Sequence, residues 1–179
     1  VAMLAASAVM LGSCGGDESA NAFVVGASGP LTGDAASYGI SVQNGAKLAI
    51  EHINAKGGIQ FTLNMKDDKA DPKEAAANYD ILYDAGMQVS LGGVTSGAGE
   101  AFAKKAHVDK IFCMTPSGSA DPVIKDMDYS FRLCFGDPDQ GVLAAQNIKA
   151  ANYQKVGAIY DTSDTYSTGI YEAFKDEMK

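Results

Sequence analysis

Clustered positive charge is what this chain most lacks: arginine occurs once, at Arg132, and the formal net charge is −8. Displacing counterions from nucleic acid or an anionic membrane surface needs grouped Lys and Arg, so no nucleic-acid partner is expected. Histidine is nearly absent too, and neither His52 nor His107 has a cysteine or second histidine at ligand spacing. A metal site is therefore not expected. No Gly-x-Ser-x-Gly is present, since Gly93-Val94-Thr95-Ser96-Gly97 fails it by one position. Nor does Gly-x-Gly-x-x-Gly follow the first strand candidate: Gly26-Ala27-Ser28-Gly29-Pro30 sets proline where backbone donors would be needed. No nucleotide cofactor is implied, and an enzyme is disfavoured. Long apolar runs are missing as well, the N-terminal stretch being shorter than the roughly 20 residues that cross a bilayer.

What is present suits a soluble core, with 46% apolar residues in a chain of 179, enough for one ordinary domain or two small ones. Residues 1–13 carry no charge and lead into Cys14 and a polar stretch, residues 15–21. This reads as the tail of a secretory signal, with a buried N-terminal helix as the plain alternative. Cys113 and Cys134 then face an oxidising compartment and could pair, but both lie in apolar strand candidates, which favours buried free thiols.

From residue 22 onward, strand and helix signals alternate, and such alternation implies a parallel sheet covered by helices, an α/β fold. Ala22–Ala27 is an apolar run for a central strand; Val42, Ala46, Ala49, Ile50 and Ile53 recur at helical spacing. Ile59–Lys66 alternates apolar and polar residues, so it belongs at or near a sheet edge. Asp71-Pro72-Lys73-Glu74 starts a helix with a capping Asp, Pro at the first position and Glu three residues after the cap. Asp137-Pro138-Asp139-Gln140 repeats the device, predicting Asp137 as a second cap. Further strands are expected at Met87–Leu91, Ile111–Met114, near Tyr129–Phe135 and at Lys155–Tyr160. Helices are expected from about Gly97 to His107, and after residue 160 with Ile170, Tyr171, Phe174 and Met178 on one face.

Four strand candidates run into loops of small hydroxyl residues and glycine: Ser28–Gly33, Thr95-Ser96-Gly97, Ser117-Gly118-Ser119 and Asp161-Thr162-Ser163. In open parallel sheets ligands bind outside the carboxyl ends of the strands, where these loops lie. Ser96 is read as an N-cap ahead of a helix whose free N–H groups suit a carboxylate or phosphate, against the alternative of a serine that only caps. Ser117 and Ser119 add hydroxyls from the next loop, and three hydroxyls with a helix terminus can hold one carboxylate. Tyr38, in the first loop, either covers a ligand or anchors the loop. Asp67-Asp68 resembles a phospho-acceptor or metal pair but reads better as solvated carboxylates. A secreted hydrolase using Ser96 is weakened by the lack of any evident relation to His52 or His107.

Leu11-Gly12-Ser13-Cys14 resembles the bacterial lipoprotein signal motif, which would place lipid on Cys14 and the protein at the cell envelope. Gly29-Pro30-Leu31-Thr32-Gly33, Ser37-Tyr38-Gly39, Asn44-Gly45-Ala46, Ile53–Ile59, Asp67-Asp68, Asp71-Pro72, Thr95-Ser96-Gly97, Thr115–Ser119, Phe131–Cys134, Gln140-Gly141 and Tyr160-Asp161 follow in order. This series resembles the type I periplasmic solute-binding proteins of ABC transporters, especially the branched-chain amino-acid branch. The resemblance implies two α/β lobes that close on a ligand by hinge bending, and an ABC permease as membrane partner. It implies that Ser96, Ser117 and Ser119 bind an α-carboxylate and ammonium, Ser117 mainly through its backbone, within the loops Thr95–Gly97 and Ser117-Gly118-Ser119, with Tyr38 packing on the ligand. Tyr166 looks like the family's cleft tyrosine, but no glycine follows it, so Thr165 is the alternative for that place. The implied division is a signal remnant at 1–14, a linker at 15–21, an incomplete first lobe at 22–135 and the opening of a second at 136–179, as in a fragment of a longer protein. A ligand-sensing receptor domain of the same fold is the alternative function.

Overall fold

A computed structural model describes residues 22–179, so the expectations for Cys14, the 1–14 signal and the 15–21 linker fall outside the described residues. The expected alternation is there: β1 (Phe23–Gly29), α1 (Ala36–Asn54), β2 (Phe61–Asp67), α2 (Pro72–Asp84), β3 (Val89–Gly93), α3 (Ser96–Asp109), β4 (Cys113–Thr115), β5 (Ser130–Arg132), α4 (Asp137–Ala150) and α5 (Thr165–Glu177). The strands form one parallel sheet in the order β2-β1-β3-β4-β5, with β2 at an edge as its alternating pattern predicts.

The chain steps one way from β1 to β2 and the other way from β3 to β5. With right-handed crossovers this reversal sets α1 on one face and α2 and α3 on the other. Between α2, α3 and the sheet lies the core of Tyr79, Leu82, Met87, Phe102, Ala106 and Cys113, with Phe102 edge-on to Tyr79 at 5.0 Å. Burying a side chain of Leu or Phe size contributes about 2 kcal/mol. Backbones approach closely here, and a Cβ on Gly93 would stand 2.6 Å from the backbone of Gly99.

The α1 face is thinly covered. Val42, Ala46 and Ile50 reach only intermediate burial, Ala49 and Ile53 stay exposed, and Gly39 is the one buried residue of α1. Phe112 and Phe131, pointing away from α3, stack at 5.3 Å yet remain 44% and 50% exposed.

Asp71 caps α2 as expected, accepting from the N–H groups of Lys73 (2.6 Å) and Glu74 (3.1 Å). The cap of α4 differs from expectation by one residue. Gly136 occupies it, Asp139 accepts the Gly136 N–H at 3.2 Å, and Asp137 becomes the first helical residue with its side chain turned inward. Lys155–Tyr160 does not form the expected strand. A parallel strand exists only through a neighbour's hydrogen bonds, and among the described residues none lies beside it. Tyr160 instead stacks on Tyr171 at 3.8 Å, and residues 156–160 border an apolar hollow with Ile170, Tyr171 and Phe174 of α5. Cys113 and Cys134 are free thiols, the first buried. Burial pushes the Cys113 thiol up to about 12, leaving it unreactive at neutral pH.

Two glycines of α1 respond oppositely to a methyl group. A Cβ on Gly39 collides with the Pro30 carbonyl, whereas one on Gly45 meets nothing within 4 Å. Gly39→Ala is expected to lower stability by about 1–3 kcal/mol through overpacking. Gly45→Ala should raise it by about 0.5–1 kcal/mol through helix propensity. Urea midpoints with unchanged slope check both.

Candidate functional site

The loops at the carboxyl end of the sheet open into one cavity of about 700 Å³. That lies within the roughly 300–1,000 Å³ of small-molecule sites. Every strand supplies part of the wall: Ala35 and Tyr38 after β1, Ala70 and Pro72 after β2, Val94–Gly97 after β3, Ser117 and Ser119 after β4, Cys134 and Phe135 after β5. Gln140 of α4 and Ser163–Tyr166 at the start of α5 complete it.

The hydroxyls expected to face a ligand divide into engaged and available. Ser28 donates to Asp68 at 2.8 Å and Ser117 to the Val94 carbonyl at 2.6 Å, so both hydrogens are committed to structure. Ser96 is not the cap of α3. Thr95 holds that position with extended backbone, makes no capping bond, and its buried Oγ1 has no partner. Ser96 Oγ accepts from Ala120 N–H at 3.2 Å, which ties the two loops together and leaves the hydroxyl hydrogen free to donate. The first bond of α3 runs from Gly99 N–H to Thr95 C=O at 2.7 Å, so the N–H groups of Ser96, Gly97 and Ala98 precede the ladder. Gly118 does not line the cavity; its N–H donates to Thr115 Oγ1 at 2.9 Å and turns the loop.

Two of the helix N-termini at the cavity, those of α3 and α5, are unequal. Asp164 caps α5 by accepting from Ser167 N–H at 2.9 Å, and this carboxylate is the only charged side chain of the wall. The α3 terminus has no such acid and keeps its positive end open. Arg132 stays behind the wall, donating to the Ser119 carbonyl at 2.6 Å and pairing with Asp121 at 3.3 Å. Tyr38 lies in the first turn of α1 rather than in the loop expected, and at 65% exposed it anchors nothing; Tyr166 is 43% exposed. Thr165, the alternative to Tyr166, borders the same cavity, so both positions are brought to it.

Cys134, Phe135, Gln140 and Ala70 were not singled out by sequence, although the strand-end rule that found the hydroxyl loops applies equally to Cys134 and Phe135 after β5. Ala70 depends on backbone geometry, a left-handed residue (φ 63°) following a left-handed Lys69 (φ 53°). Burial lifts the Cys134 thiol while the nearby Arg132 pulls it down, with a net rise.

Asp67 and Asp68 are not the solvated carboxylates expected, because their oxygens close loop bonds and Asp68 is buried; among the described residues no group of three or more His, Cys, Asp or Glu could hold a metal. Asp67 accepts from Leu31 N–H (2.8 Å), Thr32 Oγ1 (2.5 Å) and Lys69 N–H (3.0 Å). Asp68 is fully buried and accepts from Ser28 and from Ala70 N–H at 2.9 Å. Their acidities shift in opposite directions. Burial raises Asp68 beyond what its hydrogen bonds offset; at Asp67 burial also pushes upward, but the bonds from Thr32, Leu31 and Lys69 win. His107 accepts from Asp128 N–H at 3.1 Å at the far end of α3, about 16 Å of helical rise from Ser96. A Ser96–His107 catalytic pair is therefore excluded.

The sequence profile of the family described as periplasmic binding protein matches residues 23–179. The chain belongs to that family. It is 31% identical over 155 residues to the Leu/Ile/Val-binding protein BraC3 of Rhizobium johnstonii, covering 84% of this chain and 42% of that protein. An amino acid binding protein of Pseudomonas aeruginosa is 34% identical over 162 residues, covering 87% and 43%. Among solved structures, the branched-chain amino acid transporter substrate binding protein LivJ of Streptococcus pneumoniae, in complex with isoleucine, superposes with TM-score 0.80 at 30% identity, covering 88% and 47%. The chain thus spans less than half the length of these relatives. All three are named as binding proteins.

The opposed aspartates predict opposed pH profiles. Asp68 has a folded value above its ordinary 3.8, so its contribution favours folding at acid pH and is lost as pH rises through the folded value. Asp67 lies below 3.8, so its contribution is present above that value and lost as pH falls through the folded value. Relative to wild type, Asp68→Asn should gain stability as pH rises above about 4, and Asp67→Asn should lose it as pH rises toward and past about 4, read as urea midpoints.

Proposed function

We propose that the complete protein is an extracytoplasmic solute-binding component of an ABC transporter that captures an amino acid of branched-chain type between two lobes. Residues 22–135 build most of the first lobe and 136–179 open the second. The observation that carries this reading is the open N-terminus of α3, with unpartnered Thr95 Oγ1 and a donor on Ser96, across the cavity from Tyr166 and beside Tyr38. A carboxylate takes the Ser96, Gly97 and Ala98 N–H groups and the Ser96 hydroxyl; the apolar side chain packs among Tyr38, Val94, Phe135 and Tyr166. The names of the relatives support an amino acid as ligand.

In this reading the exposed Phe112–Phe131 face is covered by part of the length that the relatives have and this chain lacks. The complete protein delivers its solute to a membrane permease from the periplasmic or outer side, held there by lipid on Cys14.

Calorimetric titration of the complete gene product with the standard L-amino acids tests the reading. Heat of binding is expected with leucine, isoleucine or valine, and Ser96→Ala should weaken it by about tenfold or more, the scale of a charge-assisted hydrogen bond. Absence of heat with every amino acid would overturn the assignment.

A further inference from the structure

Asp137 is fully buried yet lies outside the cavity wall. Its N–H donates to the Ser119 carbonyl at 3.0 Å, the same oxygen that Arg132 holds from the other side. Its Oδ1 accepts from Gln140 Nε2 at 3.1 Å, and its Oδ2 makes no hydrogen bond. The carboxyl rests directly against α5. A Cβ on Gly169 would lie 3.2 Å from Asp137 Cβ and 3.3 Å from Oδ2, so the absence of a side chain at Gly169 is what admits it. One turn before Gly169 stand Thr165 and Tyr166, which border the cavity opposite Ser119. One residue therefore bridges the two sides of the cleft.

We infer that Asp137 is the positioning residue that sets α5, and with it Thr165 and Tyr166, in register with Ser119, so that ligand affinity depends on this carboxyl although the ligand does not touch it. The inference rests on the amino-acid reading only for its ligand. The groups facing Asp137 are Arg132 on β5, Cys134 just after it, Asp121 in the turn Asp121–Val123, Asp139 on α4 and Asp164 ahead of α5. Burial raises Asp137; Ser119 and Arg132 pull it down, Asp121 and Asp164 push it up, and the net direction is upward. An ionised Asp137 repels Asp164 and loosens α5, whereas the neutral form lets it dock.

The test uses the complete gene product with L-leucine as probe. Asp137→Ala, which empties the space beside Gly169, is expected to weaken binding by roughly tenfold. Asp137→Asn, equal in shape, restores it. Wild-type affinity should rise as pH falls through the raised Asp137 value, while Asp137→Asn stays flat. Should Asp137→Ala fail to fold, Gly169→Ala, whose methyl group presses on Oδ2, is expected to give the same loss. Unchanged affinity and pH profile in the variants, or a lowered melting temperature without loss of affinity, would overturn the inference. If wild type binds no leucine, the amino-acid reading fails, and hydrogen exchange in the ligand-free protein still reads the positioning role. Asp137→Ala or Gly169→Ala should then speed exchange at residues 165–169 and 117–119 more than in β1 and α2; a uniform change, or none, counts against it.

Discussion

A parallel sheet leaves its strand ends with carbonyls and N–H groups that no neighbouring strand takes, and in this protein side-chain oxygens take them. Thr115 donates to the Gly93 carbonyl at 2.7 Å and accepts from Gly118 N–H; Ser90 donates to Gly26 C=O at 3.0 Å and accepts from Gly92 N–H at 2.7 Å. Asp68 gathers Ser28 and Ala70, and Asn78 donates to Ser28 at 3.2 Å and to the Asp67 carbonyl at 2.9 Å. Buried groups left unmade would each cost about 1–3 kcal/mol. The cavity keeps its shape because these bonds hold the loops after β1, β2, β3 and β4 independently of any ligand.

This constraint also explains why the hydroxyl-rich loops were legible as a site while their individual roles were not. Small polar residues at strand ends serve two purposes, closing backbone bonds and meeting a ligand, and a sequence shows both as the same letters. Ser117 and Ser28 turn out to be engaged, and Gly118 faces away from the cavity. Thr95, rather than Ser96, occupies the cap of α3. The parallel sheet, the edge position of β2 and the Asp71–Glu74 cap were readable because each is a local pattern: alternation, periodicity and a side chain within four residues. The position of Asp137 was not. The DPDQ pattern satisfies the rule for an N-cap, but Gly136 can adopt the extended cap conformation while Asp139 reaches back to its N–H, and this frees Asp137 to be buried. That choice is made by Ser119 and Gly169, 18 and 32 residues distant in sequence.

The failed strand at Lys155–Tyr160 teaches a related point. Its residues have the apolar character of a central strand, but strand formation is a property of a pair. What does form is the α4–α5 pairing, because it needs only local partners: a Cβ on Gly141 would meet the backbone of Ile170 and, at 2.7 Å, Phe174 N, so the two helices approach to backbone contact.

In a chain of net charge −8, the proposed carboxylate ligand requires that acids lie out of its way. Salt screens exposed charges beyond about 8 Å at physiological ionic strength, so only the acids near the cavity matter. Asp67 and Asp68 are turned into the loops behind β1 and β2, and Asp121 is paired with Arg132. Asp164 reaches the wall but is occupied in capping α5, which offsets the positive end of that helix. The α1 and α3 termini at the wall carry no acidic cap, and α3 adds the hydroxyls of Thr95 and Ser96. An anionic group is directed there by dipole and hydroxyl, without a basic side chain. Arg132, the sole arginine, acts one layer back, fixing the Ser119 carbonyl that Asp137 also holds, so the charged groups govern the shape of the site while neutral donors meet the ligand.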